Sequence, residues 1–163
     1  MRTWVVLAIV TAGLLLSGQR VAARQVPSFS GTWTFLEAQA TTREGRTMPA
    51  HILLVSGAGF NCGAQCTIVQ DARTIRVSRP AENGTTPRDL VLTFAADGPQ
   101  SAQPQTNAAR ATWDGDTLLV TQSMGPVTIR QTIVRQQNRL IVTSRSIVGT
   151  DQGEEWRQTY VRQ

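Results

Sequence analysis

Lysine is absent from this chain: all 16 basic residues are arginines, set against 11 acids, one histidine and one tyrosine. A glycine-rich phosphate loop is excluded, because Gly57-Ala58-Gly59 has neither the lysine nor the following helix that such a loop requires. Serine-type hydrolysis has little to stand on, since His51 is the sole imidazole and no Gly-x-Ser-x-Gly elbow occurs. Paired acids stand at Asp114 and Asp116 and at Glu154 and Glu155, where a hairpin and a strand entrance account for them as solvated charge. The chain therefore reads as a non-enzyme with no cofactor and no metal. Beyond the N-terminus no segment approaches the roughly 20 apolar residues of a membrane helix. No amphipathic helix of three turns can be traced either.

The basic residues are not concentrated. The arginines are spread over every β-like run, without the single basic face and interleaved aromatics of a nucleic-acid binder, so no nucleic-acid partner is expected. Solvated outer faces and packing against tryptophan explain most of them. Residues 1–23 read as a signal peptide: Arg2 is the positive start, Trp4 to Leu16 the apolar run, and Val21-Ala22-Ala23 the cleavage site. Cleavage near Ala23 would make the product secreted or periplasmic, with no integral membrane segment after processing. Setting Arg2 and Arg20 aside leaves 14 arginines against 11 acids, so the processed chain carries +3 where the full chain carries +5. Residues 24–28 then form a short lead and 29–163 one domain, because about 140 residues are enough for one core and too few for two.

What remains is a series of short β-like runs broken by turn residues. Candidates are Gly31 to Glu37, His51 to Ser56, Cys66 to Gln70, Thr74 to Ser78, Asp89 to Ala95, Ala109 to Trp113, Thr117 to Gln122, Val127 to Arg135, Leu140 to Ser146 and Glu155 to Arg162. Breaks such as Asp71-Ala72-Arg73, Asp114-Gly115-Asp116, Met124-Gly125-Pro126 and Gln136-Gln137-Asn138 read as hairpins. Ala38 to Ala50, Pro80 to Arg88 and Gly98 to Gln105 read as longer irregular segments. The pattern predicts an all-β, antiparallel up-and-down barrel of about ten strands, closed by pairing of the first strand with the last.

Cys62 and Cys66, the two cysteines, are expected to form a structural disulfide in an exported protein, with glycines nearby to allow so tight a loop. His51 with both thiols could form a metal site only if the thiols stayed reduced and a fourth ligand were found.

Phe29-Ser30-Gly31-Thr32-Trp33 resembles the first strand of the calycin superfamily, the lipocalins and intracellular fatty-acid-binding proteins. Ala111 to Val120, Thr128-Ile129-Arg130-Gln131, Asn138 to Val142 and Tyr160-Val161-Arg162 resemble the last four strands of a fatty-acid-binding barrel. The Gly-Thr-Trp start and the Trp-Asp-Gly-Asp hairpin are also similar to small secreted bacterial barrels of unassigned function. The resemblance implies a lipocalin-like barrel holding a small apolar or amphiphilic ligand. In that family two inward arginines and a tyrosine bind the ligand carboxylate; the tyrosine falls on Tyr160 and the arginines on Gln131 and Gln158. Amides cannot neutralise a carboxylate, so a neutral or weakly polar ligand is expected, contacted by Phe35, Gln131, Trp156, Gln158 and Tyr160. Trp33 would plug one end structurally, capped by an arginine from Arg162, Arg145 or Arg157. Two alternatives stand beside this reading. One is a protein-interaction barrel with a filled interior that uses the Pro80 to Arg88 loop; the other is a haem-binding barrel with His51 as axial ligand.

Overall fold

Alternation at period two becomes ten strands in the computed structural model, which describes residues 26–50, 60–81, 88–93 and 109–163. They are β1 (Gly31–Thr41), β2 (Thr47–Ala50), β3 (Gln65–Gln70), β4 (Thr74–Arg79), β5 (Arg88–Thr93), β6 (Ala109–Asp114), β7 (Thr117–Met124), β8 (Val127–Gln136), β9 (Arg139–Val148) and β10 (Asp151–Arg162). The signal peptide, the strand expected at His51 to Ser56, the segment Gly98 to Gln105 and most of Pro80 to Arg88 lie outside the described residues.

The sheet runs β5-β4-β3-β1-β10-β9-β8-β7-β6, with β2 also on β1, and every pairing is antiparallel. First and last strands pair as expected: Trp33 stands opposite Arg162 and Phe35 opposite Tyr160. This pair is the middle of the sheet, and the barrel's remaining seam lies where β5 approaches β6. The result is a nearly closed antiparallel barrel.

Alternation decides which residues go inside. Ile75 and Val77 of β4, Leu118 and Val120 of β7, Ile133 of β8, and Leu140 and Val142 of β9 are buried in one core with Trp33, Ile68 and Leu92. Between them Arg76 points outward and meets Asp89 at 3.7 Å. The β3–β4 turn is tied by Asp71, whose carboxylate accepts bonds from the Arg73 and Thr74 amides at 2.7 Å each and from the Thr74 hydroxyl at 2.6 Å.

One expectation is corrected. Ala38 to Ala50, read as irregular, is the β1–β2 hairpin, with Ala38 opposite Ala50 and Thr41 opposite Thr47. Pairing with β10 on the other edge carries β1 through residues of low strand propensity. A bulge between Phe35 and Glu37 resets the alternation, so that Ala38 and Ala40 are buried and Glu37 is exposed.

The same stretch of β1 places the site. Residues Gly31 to Thr34 pair with β3 and Ala38 to Thr41 with β2, both on the edge opposite β10. β2 and β3 thus share one strand position on that edge. Phe60 to Ala64 lead into β3, and the Ala64 carbonyl accepts a bond from the Phe35 amide at 2.9 Å.

Candidate functional site

Three inward residues of β10 define the candidate site. Trp156, Gln158 and Tyr160 alternate on one face, in register with Ala40, Ala38 and Phe35 of β1 and with Ser144, Val142 and Leu140 of β9. Tyr160 is fully buried and Gln158 is 4% exposed, whereas Trp156 and Phe35 are half-buried. The Phe35 ring meets the Tyr160 ring edge-on, with centroids 5.9 Å apart.

Two of these side chains hold donors without a partner. The Tyr160 hydroxyl and the Gln158 Nε2 are buried and make no hydrogen bond among the described residues. Burial pushes the Tyr160 hydroxyl well above the ordinary tyrosine value of 10.0. The Cys62 amide faces that hydroxyl and acts in the opposite direction, without reaching hydrogen-bond geometry, and the charge of Arg79 also opposes the rise.

Arg79 is the residue that sequence reasoning missed. It extends the inward alternation of Ile75 and Val77 to the end of β4 and is partly buried. No ion pair holds it among the described residues: Asp89 meets Arg76, Asp151 meets Arg43, and Glu155 meets Arg145. The signal was present in the parity of Ile75, Val77 and Arg79, but the strand was expected to end at Ser78.

Gln131, by contrast, is engaged. It is 6% exposed; its Oε1 accepts from the Phe60 amide at 2.6 Å, and its Nε2 donates to the Phe60 carbonyl and to Ser144 Oγ, both at 2.9 Å. Phe60 is fully buried. Cys62 and Cys66 form the expected disulfide, with Cα atoms 4.8 Å apart and both residues buried. Asn61 Oδ1 accepts from the Gly63 amide at 2.8 Å, and Gly63 takes a φ of 59°, which glycine adopts without strain.

The far end is closed by the N-terminal lead. Trp33 is fully buried, and its indole N–H donates to the Phe29 carbonyl at 2.8 Å. Phe29 packs on Trp113 at 5.3 Å. Gln70 Oε1 accepts from the Phe29 amide at 2.8 Å, and Arg135 donates to the Ser28 carbonyl at 2.6 Å. Of the three arginines considered as a cap, Arg162 stands opposite Trp33 in register. Arg145 is drawn instead to Glu155 at 2.7 Å, and Arg157 is exposed because it alternates away from Trp156.

Asp114 and Asp116 are exposed at the β6–β7 hairpin. Glu154 and Glu155 lie inside β10, Glu154 exposed and Glu155 paired outward with Arg145. No group of three or more His, Cys, Asp and Glu side chains among the described residues could hold a metal ion. His51 lies outside them.

No protein-family model matches the chain, and no curated protein matches it in sequence. Solved structures do match. A secretory abundant heat soluble protein from Ramazzottius varieornatus is 11% identical, with a TM-score of 0.55 over 86% of this chain and 98% of that one. Lipid binding protein 8 of Caenorhabditis elegans, in its apo form, is 13% identical, with a TM-score of 0.54 over 83% and 95%. Zebrafish ileal bile acid-binding protein, solved with cholic acid, is 14% identical, with a TM-score of 0.53 over 83% and 98%. The fold is therefore the calycin-like barrel of the fatty-acid-binding-protein type. At such identities the likeness extends to the fold alone.

Proposed function

We propose that this barrel binds one small amphiphile, its apolar body against the inward wall and its polar end offering hydrogen-bond acceptors to Tyr160 and Gln158. The observation that carries the reading is the pair of buried, unpartnered donors two residues apart on one face of β10. A buried polar group without a partner costs about 1–3 kcal/mol, so an acceptor delivered by a ligand recovers that free energy. Phe35 and Trp156, half-buried beside them, supply apolar and aromatic contact. The names of two fold neighbours, a lipid binding protein and a bile acid-binding protein, support the ligand class.

The role is that of a binding or carrier module without catalysis, exported to a secreted or periplasmic location. An oxidising compartment is supported by the Cys62–Cys66 bridge. Native mass spectrometry of protein purified from a periplasm tests the reading. Wild-type protein retains a lipid-sized adduct, and Tyr160→Phe combined with Gln158→Leu loses it. A wild-type protein that keeps no adduct and takes up neither a long-chain acid nor its alcohol overturns the proposal.

A second reading, a protein-interaction barrel with a filled interior, is favoured by the complete burial of Phe29, Trp33 and Phe60. Replacing residues 80–88 separates the two, since it removes capture of a protein partner and leaves small-molecule uptake intact.

A further inference from the structure

Phe60 reaches the interior on a short tether. Cys62 and Cys66 are held 4.8 Å apart at their Cα atoms, and Cys66 pairs with Trp33 on β1. Two more residues of chain add at most about 7 Å, which places the Phe60 Cα within about 12 Å of Cys66. Gln131 stands on β8, four ladder steps from β3 along the wall, or about 19 Å of arc. Phe60 is fully buried in the core cluster and bonded to an inward side chain four strand positions from its staple, so the segment spans the interior. It cuts across the barrel, and on the way the Cys62 amide passes in front of the Tyr160 hydroxyl.

The bonds at the end of that chord have an unusual source. In a sheet, the N–H and C=O of one residue pair with the backbone of a neighbouring strand. Here both backbone groups of Phe60 pair with one side-chain amide, that of Gln131, whose Nε2 is further braced by Ser144. A side-chain amide can exchange partners without disturbing the β8 ladder, whereas a strand pairing cannot. The aromatic ring that this amide holds is buried in the core cluster.

We propose that the Phe60–Cys62 segment is the barrel's own internal occupant, latched by Gln131, and that ligand enters by displacing it. The inference rests on the amphiphile-binding reading and adds the regulation of that same site. On entry, the Gln131 amide and the Phe60 backbone exchange their mutual bonds for water or the polar end of the ligand. The ring of Phe60 gives up its place to the apolar body. The Cys62–Cys66 staple keeps the displaced segment tethered at the start of β3, so the latch closes again when the ligand leaves.

The test compares wild type with Gln131→Leu, using anilinonaphthalene sulfonate as the probe and amide hydrogen exchange at Phe60 as the second readout. Removing the side-chain amide is expected to speed probe uptake by about tenfold, the factor that corresponds to about 1.4 kcal/mol. It is also expected to speed exchange at Phe60 while leaving the amides of β9 and β10 protected. Should Gln131→Leu fail to fold, Phe60→Leu keeps the backbone latch and shortens the occupant; it is expected to bind the probe more tightly than wild type. Probe uptake by wild type at a rate that neither variant changes overturns the latch and leaves the binding reading standing. Absence of uptake by every variant sinks the binding reading, and the latch with it.

Discussion

Arg162 lies over Gly31: a β-carbon built on the glycine would come within 2.8 Å of the arginine Nε. Gly31 also takes a φ of +140°, where a side chain is strained whatever space surrounds it. These two effects differ in how easily they relax. Arg162 is exposed and can swing away, whereas the backbone of β1 is fixed by ladders to β3 and β10. Gly31→Ala is therefore expected to cost about 1–3 kcal/mol, and most of that cost should persist when Arg162 is also replaced by alanine. Denaturant unfolding of the two single variants and the double variant measures it. A cost that disappears in the Arg162→Ala background would assign the effect to the clash.

Arg79 alters the ligand expected from the sequence. With glutamine at residues 131 and 158, a neutral ligand was the consistent expectation, because no charge stood where the resemblance places one. Arg79 brings a positive charge to the inward face from β4, with no ion-pair partner among the described residues. Its field reaches the Tyr160 hydroxyl. Arg79→Met keeps an apolar stem and removes the charge. It is expected to weaken binding of a long-chain carboxylate by about tenfold and to change binding of the matching alcohol by less than about twofold. Calorimetric titration of both ligands decides the matter; equal losses would make Arg79 a packing residue.

The β1–β10 pairing was legible because Gly31 to Phe35 and Trp156 to Arg162 alternate cleanly, and a half-buried strand leaves that trace. The four hairpins were legible from their turn residues, as at Asp71, where the side chain itself makes the turn. The β1–β2 hairpin was not legible, since Ala38, Gln39 and Ala40 have little strand propensity and are ordered by neighbours distant in sequence. The bulge at Phe35 reverses the parity by which Glu37 would have been placed. Nor could the role of Gln131 be read, because its partner Phe60 is 71 residues away and a glutamine on an inward face suits a ligand or a loop equally. Local pattern shows which way a side chain points; what it meets there depends on the fold.

Tyr160 offers a measurement free of interference, because it is the sole tyrosine and the chain has no lysine. Burial is the largest cause of its raised pKa, so the fold favours the neutral phenol over the phenolate. The sign follows from proton linkage: the folded state holds the proton to higher pH than the unfolded chain. The stability this gives is fully present below the unfolded value near 10.0 and declines as pH rises past it. Folded protein is expected to show no tyrosinate absorbance as pH passes 10.0, and the signal should emerge only together with loss of β structure in circular dichroism. Tyr160→Phe should extend folding to higher pH, since it removes the proton whose release drives unfolding. Tyrosinate appearing near 10.0 with the barrel intact would mean that the hydroxyl already meets water, and the donor proposed to greet a ligand would then be satisfied without one.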